Sequence, residues 1–145
     1  MNPKNNQPQR PIGYWLKHAD DVITQHVNQV LSDQGLTRFH WQVLNIVHEA
    51  GRITQKQVFE PMQTFVEAAG LDAIISEFEN RGWMIRHEKG GSGVTELELT
   101  DQGKEGHRAI FSFQSEVRKQ AVQGVSEEEY MTVIRVLQRM VKNLE

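Results

Sequence analysis

Six histidines and no cysteines set the range of chemistry open to this 145-residue chain. Imidazoles hold zinc when they fall at short helical spacings or converge from several elements. His18 and His26, like His40 and His48, stand eight residues apart and do not share one helical face well. No His-x-x-x-His pair occurs, and Glu105 and His107 would join His40 only by tertiary accident, so no metal site is expected. Without cysteine there is no disulfide, no thiolate ligand and no thiol-based oxidation sensor. Nucleophilic catalysis has no support either: there is no Gly-x-Ser-x-Gly elbow and no phosphate-cradling loop. The glycine-rich run Gly90-Gly-Ser-Gly93 sits at a hairpin tip rather than a strand-to-helix turn. The chain reads as a non-enzyme that needs no cofactor.

The chemistry that remains is recognition, and the elements that would position it lie between Arg52 and Thr100. Thr54-Gln-Lys-Gln57 is a capping box, in which the hydroxyl accepts from the third amide and the glutamine reaches back. Thr64-Phe-Val-Glu67 has the same form and is expected to open a second helix. Leu71, Ile74, Ile75 and Phe78 recur at helical spacing and mark its buried stripe, which Arg81-Gly82 ends. Trp83 to His87, the glycine tip and Val94 to Leu99 then form a hairpin. In the last run Leu97 and Leu99 share one face, Glu96 and Glu98 the other. Two helices followed by a β-hairpin make a winged helix-turn-helix.

Length and composition agree with one soluble domain large enough to bury a core. No apolar run reaches the length of a membrane span and the start is polar, so a cytoplasmic protein without a membrane role is expected. Met1 to Pro11, rich in proline and amide side chains, reads as a disordered arm (1–11). Ile12, Trp15, Leu16, Ala19, Val22, Ile23, Val27, Val30 and Leu31 form the stripe of a long first helix. Gly35 breaks it and Thr37 caps the next, a core strut carrying Phe39, Val43, Leu44, Ile46, Val47 and Ala50. A helix from Asp101 to about Gln123 follows. A third capping box, Ser126-Glu-Glu-Glu129, opens the last helix, in which Tyr130, Ile134, Leu137, Val141 and Leu144 make an a/d seam.

Leu36-Thr37-x-x-His40-Trp41-x-Val43-Leu44, the Thr54-Gln55 helix start, Glu79-x-x-Gly82 and Leu99-Thr100-x-x-Gly103, in that order, resemble the MarR family. The likeness covers nearly the whole chain. It implies a mostly α-helical fold with a small β-hairpin wing: one domain over 12–145, with the winged unit at about 37–100. It also implies dimerisation helices at about 12–33 and 101–145, and a dimeric transcriptional regulator that responds to small aromatic ligands. The first and last helices of two subunits interlock in that family, so a symmetric homodimer is expected.

Against this pattern the DNA-facing residues depart. The second helix would turn Phe65, Val66, Ala69, Ala73, Ser76 and Asn80 to the major groove, with no arginine or lysine among them, although arginine is the commonest base reader. Where the family carries a wing Asp-Arg pair this chain has Gly91-Ser92-Gly93, and the segment between the two helices, with Pro61, is about two residues longer. From Gly51 to Thr100 there are five Lys/Arg against eight acids, so this unit accounts for the whole formal charge of −3. The candidate DNA contacts are Arg38, Gln55, Lys56, Gln63, Thr64, Phe65, Ala69, Ala73, Arg86, Lys89 and Ser92 (with His87 as a further phosphate candidate). The resemblance places a ligand pocket at Tyr14, Trp15, His18, His40, Trp41, Leu44 and Phe111, whose aromatic walls suit a planar molecule. The expected function is a ligand-responsive DNA-binding regulator acting on a double-stranded operator. The alternative is a degenerate winged helix that binds a protein through Phe65, Val66, Ala69 and Ala73.

Overall fold

The computed structural model describes residues 9–145, so all but the last three residues of the expected arm lie outside the described part. Pro11 precedes α1 (Ile12–Leu31), and a short 3-10 turn leads to Gly35, whose φ of +69° only glycine adopts cheaply. Then come α2 (Arg38–Ala50), β1 (Arg52–Thr54), α3 (Gln55–Met62), α4 (Ala68–Asn80), β2 (Met84–Lys89), β3 (Val94–Leu99), α5 (Asp101–Ala121) and α6 (Glu127–Leu144). The fold is mostly α with a small antiparallel sheet, as the sequence implied. The sheet has three strands in the order β1-β3-β2, one more than the expected hairpin. Arg52–Thr54 pairs with Glu96–Glu98, a three-residue strand too short to show a period.

The capping residues do what their spacing promises. Thr54 accepts from the Gln57 amide at 3.1 Å while the Gln57 side chain accepts from the Thr54 amide at 3.1 Å. Ser126 and Glu129 repeat this at α6. At α2 the reciprocal partner is an imidazole: His40 Nδ1 accepts from the Thr37 amide at 3.2 Å.

One cap fails. Thr64 and Phe65 lie in a turn, and α4 begins at Ala68 with Glu67 as an N-cap that makes no side-chain bond. The Phe65 and Val66 amides both donate to the Met62 carbonyl, at 2.9 and 3.0 Å, which closes α3. Val66 is then drawn against the core and holds the chain extended where a helix was expected. Pro61 lies inside α3, and the Gln63 amide still closes on Phe59 O at 2.8 Å.

The core gathers Val27 and Leu31 of α1, Val43, Leu44 and Val47 of α2, and the expected α4 stripe with Phe78 at its centre. Leu97 and Leu99 close it from the sheet, Ile110 from α5. Gly103 explains the Leu-Thr-x-x-Gly signature: a Cβ there would lie 2.0 Å from the Trp83 carbonyl oxygen, so only glycine lets α5 cross the start of β2. Thr100 joins the same crossing, accepting from the Gly103 amide at 3.0 Å and donating to Gly82 O at 2.6 Å.

Candidate nucleic-acid interface

The winged unit presents α3, α4 and the β2–β3 wing around one cleft of about 460 Å3. Thr54, Gln55, Lys56, Asp72, Arg86 and the wing residues Gly93 to Thr95 line it. The α4 stripe packs inward, leaving Ala68, Ala69, Asp72 and Ala73 exposed. Phe65 is not on this helix, because the start of α4 is later than expected. It sits in the preceding turn, half-exposed, with its ring 5.9 Å from Phe39.

Arg86, expected to be a phosphate contact, points into the unit instead. Its Nε donates to Glu79 Oε1 at 2.6 Å, and Nη1 to Asp72 Oδ1 at 2.7 Å and Gln55 Oε1 at 3.2 Å. Nη2 donates to Ser76 Oγ at 2.9 Å and to the Asp72 carbonyl at 3.2 Å. All five guanidinium donors are thereby used within the unit, which pins the wing strand to α4 and to the start of α3. Burial works against the arginine's charge, but the bonds to Asp72 and Glu79 outweigh it and raise its pKa further. The bonds from Arg86 and then Gln55 hold the Asp72 carboxyl below the usual range, so it stays an acceptor near neutral pH.

The other expected cations are spoken for in the same way. Arg38 is turned to α1, where it meets Asp20 at 2.9 Å and the Thr24 hydroxyl at 2.7 Å. Lys89 pairs with Glu96 at 2.8 Å, and Arg52 approaches Glu96 at 3.0 Å, so the strand acids consume the wing's charge. The Lys89 bond, working against partial burial, lowers the Glu96 pKa. His87 lies 3.4 Å from Glu98. Lys56 is exposed on the cleft and has no carboxylate partner among the described residues. Gln55 donates to Asp72 Oδ1 at 3.2 Å, Gln63 to Glu60 O at 3.1 Å, and Ser92 to Lys89 O at 2.6 Å, closing the wing tip. Thr64, Ala69 and Ala73 are exposed.

The residues expected to line a ligand pocket are not brought together in this chain. On the exposed start of α1 Tyr14 stacks on His18 and meets Trp15 edge-on, and the Arg10 guanidinium lies 4.7 Å over the Tyr14 ring. Trp41 and Phe111 instead flank His107, at 5.0 and 6.1 Å. Leu44 is fully buried core rather than a wall, and His40 is a buried structural group, bonded to Thr37 and through Nε2 to Glu77 at 2.5 Å.

Sequence reasoning missed two features here. Arg86 looked like one more surface cation, because the four residues that accept its five bonds lie on α3 and α4, 7 to 31 positions away. The second is the histidine stack: His48 and His107 lie parallel, with centroids 3.6 Å apart. They line a cavity of about 340 Å3 with Lys104, Arg108 and Phe111. The only sequence signal for it was the unusual number of histidines.

No family model matches the chain. An uncharacterized HTH-type transcriptional regulator of Bacillus subtilis, YdgJ, is 25% identical over 126 residues, spanning 83% of this chain and 76% of that protein. Among solved structures, the transcriptional regulator SlyA aligns with a TM-score of 0.79 and 24% identity over 93% of this chain and 94% of its own. A mutant MarR from E. coli complexed with operator DNA aligns at 0.77 with 17% identity, over 90% and 93%. Bordetella bronchiseptica BpsR, whose DNA binding is regulated by 6-hydroxynicotinic acid, aligns at 0.75 with 16% identity, over 94% and 99%. With 90% or more of its length aligned at these scores, the chain has the fold of the MarR-type winged-helix regulators.

Proposed function

We propose that the protein is a homodimeric DNA-binding transcriptional regulator of the MarR type whose affinity is set by a small aromatic ligand. The observation that carries this reading is the outward face of α4. The helix is packed on its buried stripe and braced by Arg86, yet Ala69, Asp72 and Ala73 are left uncovered beside an unpaired Lys56. A helix held this firmly with a bare outer face suits insertion into a major groove. The operator complex of a MarR mutant with the same fold supports it by analogy. The ligand would shift DNA affinity by linkage, binding one spacing of the two reading helices better than another. The BpsR comparison and the stacked Trp41, His107 and Phe111 rings support a planar ligand class.

With most cations paired internally, one or two phosphates neutralised per protomer give a shallow salt slope, about −2 to −4 for a dimer. The test is a titration against upstream DNA of the protein's own gene at two salt concentrations. Sub-micromolar, sequence-selective binding with that shallow slope is expected. Binding no better than to random DNA, even at low salt, overturns the reading. The Phe65 turn would then be the place to look for a protein partner.

A further inference from the structure

The exposed face of α4 is nearly empty of groups that could read a base. Ala68, Ala69 and Ala73 offer only methyls, Ser76 is bonded to Arg86, Glu77 is held by His40, and Asn80 is the last residue of the helix, at the end away from its start. Asp72 is the exception. Its side chain is 55% exposed, near the middle of the outward face and at the mouth of the cleft between α3 and the wing. Among the described residues both of its side-chain bonds, from Arg86 Nη1 and Gln55 Nε2, fall on Oδ1, which leaves Oδ2 as an acceptor. A bare carboxylate on a reading helix repels phosphates, but here a guanidinium 2.7 Å away offsets the charge and fixes the side chain's direction.

We propose that Asp72 is the specificity-determining side chain of the reading helix, accepting a hydrogen bond from the N4 amino group of a cytosine in the major groove. Arg86 and Gln55 act as positioning residues that aim the carboxylate without touching the DNA. The inference rests on the DNA-binding reading above. The chemistry follows from the groove: cytosine is the base that offers only a donor there, and a carboxylate offers only acceptors. The neighbouring alanines leave the helix close enough to the base edges for a short side chain to reach them. A lysine or arginine on this face would have read guanine instead.

The test is selection of binding sites from a randomised duplex library, followed by sequencing, with the full-length wild type and with Asp72→Asn, Asp72→Ala and Arg86→Gln. The wild type is expected to enrich sites with cytosine at one fixed position in each half-site. Asp72→Asn should move that position to adenine, which an amide pairs through N6 and N7, by about tenfold. Asp72→Ala should lose the preference there and keep the rest of the motif. Arg86→Gln should broaden the same position, a change that general weakening would spread over every position. A second measurement needs no substitution: wild-type protein should bind a duplex with that C·G pair changed to T·A about tenfold more weakly. If both Asp72 variants select the wild-type motif, or the pair change leaves affinity unaltered, the inference fails while the DNA-binding reading stands. If the wild type enriches no motif at all, both fail together.

Discussion

The winged unit and the helices around it treat their apolar residues in opposite ways. In the unit, Val43, Leu44, Val47, Val58, Ile75, Phe78 and Leu97 are fully buried, both helix starts at Thr37 and Thr54 are capped, and Arg86 has no donor left over. In α6, by contrast, no residue is buried, and Met131, Val133, Val136 and Met140 are exposed together with Val141 and Leu144. α1 is similar as far as Ile23, with Ile12, Trp15, Leu16, Val22 and Ile23 exposed. The unit buries its apolar residues within one chain, whereas the flanking helices leave many of theirs exposed. Along the a/d seam Tyr130, Ile134 and Leu137 are half-buried, whereas a second stripe through Val133, Val136 and Met140 is left exposed among the described residues. Apolar area of that kind is what a symmetric partner covers.

The largest expected effect comes from charging that second stripe. In a lone protomer Val133→Glu with Met140→Glu changes only exposed side chains, so the fold should survive with unaltered circular dichroism. In a dimer it buries two unpaired carboxylates per chain. Sedimentation at about 10 µM is expected to show a wild-type dimer and a monomeric variant. DNA affinity should fall more than about a hundredfold, because the two half-sites are no longer engaged by one tethered body. A monomeric wild type would remove the contrast between the two regions altogether.

The next effect probes the finished half. Phe78 is fully buried, stacked 5.9 Å from Trp83 and edge-on to His40 at 5.8 Å. Phe78→Ala should cost about 3–5 kcal/mol in urea unfolding at fixed protein concentration. A cost below about 1 kcal/mol would mean that the unit's stability is supplied by the dimer rather than by its own core.

Much of this division was legible in the sequence because it rests on local signals. The capping boxes at Thr54 and Ser126, the α4 stripe and the alternation of Leu97 and Leu99 each depend on residues a few positions apart. The Thr64 box has the same letters and failed: Val66 packs against the core, and α4 begins only at Ala68. The site was less legible. Arg86, Arg38 and Lys89 read as free cations until folding brought acids from 14, 18 and 7 positions away within reach. The face was correctly expected to be poor in cations, but for a stronger reason than the count of charges: most of those present are already bonded. The residues expected to hold a ligand divide into two groups, Tyr14, Trp15 and His18 at the start of α1 and Trp41 with Phe111 around His107, because neighbours in a resembled pattern need not be neighbours after folding.

The smallest effect lies at the border between the two regions, where α5 leaves the winged unit. His107 is packed in a stack, 3.6 Å from the His48 ring and 5.0 Å from Trp41, and Nε2 lies 2.9 Å from Asn45 Oδ1. Burial first, and the charge of His48 second, push its pKa down to about 4. In the unfolded chain it titrates near 6.5. Above that pH both states hold it neutral, so it costs nothing. As pH falls from about 6.5 to about 4 the unfolded state takes up a proton that the native state refuses, and stability is lost over that window, then levels off. Allowing for partial solvent access, the loss should be about 2 kcal/mol. Asp72 does not confuse the measurement, since its depressed pKa removes stability only below the ordinary carboxylate range. Urea unfolding at several pH values between 7.5 and 4.5 should show the decline in the wild type, and His107→Phe should flatten it. An unchanged slope in that variant would place the proton uptake elsewhere and leave the stack a matter of packing alone.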